Sequence, residues 1–234
     1  MSFLYHELLF RPLFNLLVFI YNIVPGGDFG IAIILLTIVI RVIFTPLSIK
    51  ALVSQKELSK LQPKIKELQE KHKNDKQALG QATMAMYKEH NVNPFSGCLP
   101  LLIQLPVLIA LYGALNSGLK PESLTALYSF VGYPEVINQT AFGLIDLTQK
   151  SAILAILAGI LQWFQSKKAA SFQSPTSKGE VPSAAFQMSK QMLYFFPIMV
   201  IIIAWNLPAG LTIYWVAATA FSIVEQVYIN RKYR

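Results

Sequence analysis

The chain has 234 residues, of which 54% are hydrophobic and only 14% charged, with a mean hydropathy of +0.47. Soluble domains carry roughly 25% charged residues, so this composition excludes an ordinary water-coated globule and predicts a membrane protein. The formal charge is nonetheless +8, from 20 Lys and Arg against 12 Asp and Glu, so basic segments must be hung on apolar ones. A single cysteine, Cys98, excludes an intrachain disulfide framework, and three scattered histidines (6, 72 and 90) give no structural zinc site.

Residues 1–25 (MSFLYHELLFRPLFNLLVFIYNIVP) admit three readings: a signal peptide, a span, or a helix lying in the membrane interface. No small-residue cleavage site follows Ile23. The apolar run is broken by Asn15 and Asn22 and bounded by Arg11, Pro12 and Pro25-Gly-Gly, so an external interfacial amphipathic helix fits best. The first transmembrane helix is expected over 26–54, built on the run GIAIILLTIVIRVIFTPLSIK at 30–50, with Arg41 as its one internal charge.

From 55 to 94 the chain turns polar. Eight lysines, five acids and a break at Lys73-Asn-Asp-Lys predict a cytoplasmic helical hairpin, with Leu58, Leu61, Ile65 and Leu68 on one helix facing Leu79, Ala82, Met86 and Tyr87 on the other. Pro63 begins or kinks the first of these helices. Asn93, Pro94, Ser96 and Gly97 read as a turn before the second transmembrane helix at 95–117. An external loop (118–150), a third span (151–166), a cytoplasmic loop (167–190) and a fourth span (191–207) follow. Asn-Leu-Pro-Ala-Gly at 206–210 then makes a tight turn into a fifth span at 211–230 and a tail at 231–234. The fold class is thus an all-α membrane protein with five transmembrane helices.

Several apolar runs fall short of the roughly 20 residues that cross a bilayer. Either the bilayer thins locally, or flanking residues snorkel and the helices extend beyond the runs. Sixteen cations and seven acids lie on the side of the 55–94 loop and the C-terminus, against three cations and five acids on the other, and Arg41 supplies the remaining charge. The positive-inside rule places the loop and the C-terminus in the cytoplasm and the N-terminus outside. Taken singly, most hairpin lysines read as a solvated face. As a unit, the basic hairpin suits acidic partners such as ribosomal RNA or lipid headgroups; Tyr87 is its one aromatic, so readout of a specific nucleic-acid sequence is not expected.

Arg41 is the most informative residue. Standing eleven residues beyond Gly30 and nine before Lys50, it lies roughly 14 to 16 Å from either end of the run, where an arginine costs on the order of 2.5 to 3.5 kcal/mol. No Asp or Glu stands at that depth in another span, since Glu225 falls close to the cytoplasmic end of the fifth, so the guanidinium calls for a hydrated cavity. Thr37, Arg41, Thr45 and Ser48 form one polar stripe. Thr212, Trp215, Thr219, Ser222 and Gln226 form a second on the last span, and Gln104 and Gln162 add isolated amides. Each hydroxyl and amide, taken alone, also suits helix-to-helix bonding. Pro46, Pro106 and Pro197 predict kinks.

The runs TIVIRVIFTPLSIK (37–50), LQPKIKEL (61–68), DKQ (75–77), MYKEHNVNPFSGCLPLLIQLPVLIALY (86–112) and NLPAGLTIYW (206–215), in this order and spacing, closely resemble YidC membrane protein insertases over roughly residues 20 to 230. The resemblance implies a five-helix core enclosing a hydrophilic groove open to cytoplasm and lipid and closed to the outside. In it Arg41 takes the position of the groove arginine that transiently attracts acidic residues in a substrate's translocated tail. Thr37 and Gln104 fall at polar groove positions, and Tyr214 and Trp215 match an aromatic substrate-contact position, Tyr-Trp standing where relatives often have Tyr-Tyr. Implied partners are nascent membrane proteins, the lipid bilayer, the Sec translocon and the ribosome. Three departures are visible: no large extracytoplasmic domain before the core, no lipobox cysteine near the N-terminus, and only Arg-Lys-Tyr-Arg after the last span, which leaves the hairpin as the expected ribosome contact.

No phosphate loop or nucleophile paired with a base occurs, so no catalytic residue, cofactor or metal is expected, and energy must come from burying the substrate's apolar helix. The expected contact set is Arg41, Thr37, Thr45, Gln104, Tyr214, Trp215 and Thr219. The competing class is a small-solute channel or transporter, which calls for a two-sided path and often inverted repeats. No internal repeat is seen, and Ile31–Leu36 is wholly apolar.

Overall fold

The computed structural model describes residues 3–93, 99–117, 126–132, 134, 138–170 and 184–232. Of the expected features, the turn at 94–97, Cys98, parts of the 118–150 loop, most of the 167–190 loop and the last two residues lie outside the described residues. The chain folds as helices for the reason its composition gives: apolar surroundings offer backbone groups no water, and a helix satisfies them within the segment. In chain order these are α1 (Phe3–Tyr5), which passes through a π turn (His6–Phe10) into α2 (Arg11–Ile23), then α3 (Phe29–Lys60), α4 (Gln62–Lys71), α5 (Lys76–Glu89), α6 (Leu99–Ser117), α7 (Ala152–Ala170), α8 (Ala184–Asn206) and α9 (Ala209–Lys232). Between α6 and α7 a short antiparallel pair, β1 (Thr140–Ala141) and β2 (Ile145–Asp146), is the only sheet among the described residues.

By length and composition, α3 and α9 are each able to cross a bilayer, and α6 and α8 carry shorter apolar stretches, Gln104–Leu115 and Leu193–Asn206. The helices outrun the apolar segments visible in the sequence. α7 has 19 residues and α8 has 23, about 28 and 34 Å at 1.5 Å per residue. At the polar end of α7, Lys167 lies over the Trp163 ring at 4.9 Å, an apolar body with a charged tip.

Asp28 starts α3 as its N-cap: one carboxylate oxygen accepts from the Ile31 amide at 2.9 Å and the other from the Phe142 amide. The helix runs through Pro46 and ends at Leu61, where Pro63 occupies the first turn of α4. Ala32, Ile33, Leu36, Thr37 and Ile40 are buried, while Leu35, Ile38, Val39, Val42 and Ile43 are exposed. A helix apolar on both its packed and its open face is one surrounded by hydrocarbon.

α9 packs against α3, α6 and α7; α7 also packs on α8, and α2 lies across α3 and α6. Ile33, Leu36, Leu111 and Leu211 fill the centre with almost no exposure. The α7–α8 contact is made of small residues: Ala155, Ala158 and Ala204 are fully buried with Val200. α4 and α5 pack through a separate cluster of Leu61, Ile65, Met86 and Val92, flanked by Leu58, Leu68 and Tyr87. Burial raises the Tyr87 phenol above its ordinary pKa.

One end of the bundle is stitched by main-chain bonds. The amides of Ala209 and Gly210, where α9 begins, donate to the carbonyls of Gln149 (2.7 Å) and Leu147 (3.1 Å). At the start of α3, Gly30 lies against Ala141 so closely that a side chain there would collide with it. α2 holds the same segment: Tyr21 accepts from the Asn138 amide at 2.9 Å, and Asn22 donates to the Gly132 carbonyl at 2.6 Å. Asn15, 3% exposed, donates to the carbonyls of Arg11 (2.8 Å) and Ala126 (2.9 Å) and accepts from the Tyr128 amide at 2.6 Å.

Removing the Asn15 amide leaves the Ala126 carbonyl and the Tyr128 amide short of partners, at about 1 to 3 kcal/mol for a buried group. Asn15→Leu is therefore expected to speed proteolysis near Tyr128 and to lower the unfolding midpoint in detergent. If both stay at wild-type values, Asn15 is not a tie.

Candidate functional site

Arg41 stands twelve residues into α3, about 18 Å from its first residue. It lies on the border between the buried face of that helix (Thr37, Ile40) and the open one (Val42, Ile43), and is itself half-buried. Its Nη2 donates to Oε1 of Gln104, on α6, at 2.7 Å. Gln104 is neutral, so the bond orients the guanidinium without cancelling its charge.

Tyr214, 2% exposed on α9, lies beside the same Gln104 and within electrostatic reach of Arg41. One turn along α3, Thr45 donates its hydroxyl to the Arg41 carbonyl at 2.9 Å and lies beside Glu225 of α9. Glu225 is buried and feels the Arg41 charge. Three helices thus converge on one cation. α3 and α9 both start at the stitched end, so their Cα–Cβ bonds lean toward it, and the long Arg41 side chain rises toward Gln104 and Tyr214.

Glu225, expected to lie near the end of its span, is level with Thr45, one turn along from Arg41. The acid does not form a direct ion pair with the arginine: among the described residues, ion pairs join Glu7 to His6 and Arg11, and Glu57 to Lys60. Among the described residues, the buried side-chain polar atoms without a protein partner are Gln104 Nε2, Glu225 Oε1 and Gln226 Oε1. Two of the three belong to the groups around Arg41, and such atoms call for water or a polar ligand.

The other expected contact residues lie apart from Arg41 or turn inward on their own helix. Thr37 donates to the Ile33 carbonyl at 2.6 Å. Thr212 turns to the carbonyls of Ala204 (3.5 Å) and Pro208 (3.3 Å), and Gln162 donates to Gln165 at 2.8 Å. Thr219, Ser222 and Gln226 are buried along α9. Trp215 packs over the small-residue cluster between α7 and α8, because it projects about 100° around α9 from Tyr214. Tyr214 and Trp215 therefore serve different sides of the same helix.

Among the described residues no group of three His, Cys, Asp or Glu is placed to hold a metal ion. A cleft lined by Ile49, Val53, Glu57, His90 and Asn91 lies where α3 meets the end of α5, farther along α3 than Arg41.

The family described as 60Kd inner membrane protein matches residues 19–234. The chain is 38% identical over 206 residues to the membrane protein insertase YidC of Fusobacterium nucleatum, covering 88% of each. It is 34% identical over 226 residues to the YidC of Geobacter sulfurreducens, covering 96% of this chain and 37% of that one. Against the YidC of Syntrophus aciditrophicus it is 40% identical over 224 residues, covering 94% of this chain and 36% of the relative. The chain thus spans nearly the whole of the first relative and little over a third of the other two.

Proposed function

This chain belongs to the 60Kd inner membrane protein family, that of the YidC insertases, and from that premise we propose that it inserts and folds nascent membrane proteins in the bacterial cytoplasmic membrane. The observation that carries the reading is Arg41, a cation held about 18 Å along α3 by a neutral amide, with buried polar atoms around it still lacking partners. Such a group attracts an acid without being consumed by one of its own. In this reading α3, α6, α7, α8 and α9 are the five spans, the stitched end faces outward, and α1 and α2 lie along the outer interface. The paired α4 and α5 and the C-terminus face the cytoplasm, where the basic surface of α4 and α5 meets the ribosome or the Sec translocon.

A hydrated groove beside Arg41 receives the acidic tail of a substrate, whose apolar helix slides past Tyr214 and the open faces of α3 into lipid. Burial of that helix at ~25 cal/mol per Å2 supplies the driving force without nucleotide or covalent chemistry. Ile33 and Leu36, each 1% exposed or less, lie on α3 between Arg41 and the stitched end, where Leu147 and Leu211 are as deeply buried. That packing supports a one-sided site over a channel.

The deciding experiment is rescue of insertase-depleted cells with this chain, reading protease-protected insertion of a single-span reporter with an acidic translocated tail. Restored insertion is expected. Solute flux across vesicles without restored insertion would replace the proposal with the channel.

A further inference from the structure

Glu225 is an unusual neighbour for a cation that works by attracting acids. It is buried at 8% exposure, its Oε1 has no protein partner, and it contacts Thr45, the residue one turn from Arg41. The Thr45 hydroxyl has one proton, and it is directed at the Arg41 carbonyl, so it cannot also serve the carboxylate. Glu225 is therefore under-satisfied as an acceptor, and across the packed α3–α9 contact it lies within electrostatic reach of Arg41. At present Gln104 holds that charge in its place, with an amide whose own Nε2 is left without a partner. The guanidinium thus stands between two claimants on different helices, Gln104 on α6 and Glu225 on α9.

We propose that Glu225 is a resident competitor for Arg41, an internal counter-charge that a substrate's acid must outbid, and so a residue that sets which tails are accepted. The inference rests on the insertase reading and deepens it. A tail with one acid meets an equal and pre-positioned rival, whereas a tail with two or three acids outweighs it. Neutral tails, which make no use of the cation, are indifferent to Glu225. The residue thereby acts as a threshold on acidic tails rather than as part of the attraction.

The test uses the full chain in depleted cells and three reporters that differ only in the translocated tail, carrying none, one or three Asp. Glu225→Gln is expected to raise insertion of the one-Asp reporter at least about fivefold, as a coupling between neighbouring sites does, while the other two change little. In an Arg41→Gln background the gain is expected to vanish. An equal change in all three reporters would mean a structural role, and a loss confined to the acidic ones would mean that Glu225 assists Arg41; either overturns the proposal.

A second measurement does not depend on insertion. In purified protein in detergent, unfolding midpoints of Arg41→Gln, Glu225→Gln and the double variant form a cycle. Non-additive midpoints are expected, and strict additivity overturns the internal counter-charge even where insertion is normal. Failure of wild type to insert any reporter, with a non-additive cycle, would sink the insertase reading alone.

Discussion

Replacing Arg41 with alanine is expected to lower insertion of a single-span substrate with an acidic translocated tail by about tenfold, or ~1.4 kcal/mol. Carrying an acid through the bilayer centre costs roughly 2.5 to 3.5 kcal/mol on insertion scales, and a charge pair at 4 Å returns about 4 kcal/mol at an effective dielectric near 20. The two nearly cancel, which is what a transient contact requires. Part of the gain is lost in parting Arg41 from Gln104, hence the smaller net figure. Arg41→Lys is expected to retain most insertion, because it keeps the charge and gives up only the planar fork. Alanine also strips Gln104 Oε1 of its donor, so insertion is compared at equal protein levels and beside a neutral-tailed reporter. Equal insertion of the acidic reporter by wild type and Arg41→Ala would end the electrostatic account.

The second large effect concerns stability. Gly159→Leu is expected to lower the unfolding midpoint in detergent by roughly 4 to 12 °C, the scale of a 2 to 3 kcal/mol loss for a chain of this size. A Cβ at Gly159 would run into the Ile201 side chain near its root and stand 3.3 Å from the Pro197 carbonyl. Neither can swing aside cheaply, one being close to the backbone and the other part of it. Among apolar helices in lipid, close approach of small residues supplies much of the association, and here Ala155, Ala158 and Ala204 are fully buried around the same contact. Gly159→Ala is expected to show a smaller drop of the same sign. Trp215 packs on this cluster, so its emission reports the separation. An unchanged midpoint in Gly159→Leu would show that α7 and α8 do not meet there.

The polar stripe on α3 was legible because a helix repeats every 3.6 residues: Thr37 and Ser48 are buried and Arg41 and Thr45 half-buried on one side of it. Which partners those hydroxyls choose was not, since a helical Thr can always turn to a carbonyl four residues back, as Thr37 and Thr45 both do. Glu225 was set aside in the sequence because depth was counted from the ends of apolar runs. Counted from the starts of their helices, Thr45 and Glu225 each stand sixteen residues in, past Phe29 and Ala209. The 126–150 segment carries no hydropathy signal, being held by backbone groups. Its trace in the sequence was Asn15, which looked like a break in an apolar run and is a buried amide bonded to a distant main chain. A buried Asn needs partners, and that requirement, applied early, would have pointed to the contact.

The stitching of the bundle at one end bears on direction. Rods joined at one end can part only from the other, as the tines of a fork do, and a small splay at the joint becomes a wide gap at the tips. The Ala209–Gln149 and Gly210–Leu147 bonds and the Asp28 clasp on Phe142 tie together the starts of α9 and α3, so a segment admitted between those helices at the free end meets a closed seam ahead and lipid at the side. In the proposed insertase the course of such a segment would be set by where the resistance lies, giving the reaction a heading from the frame alone.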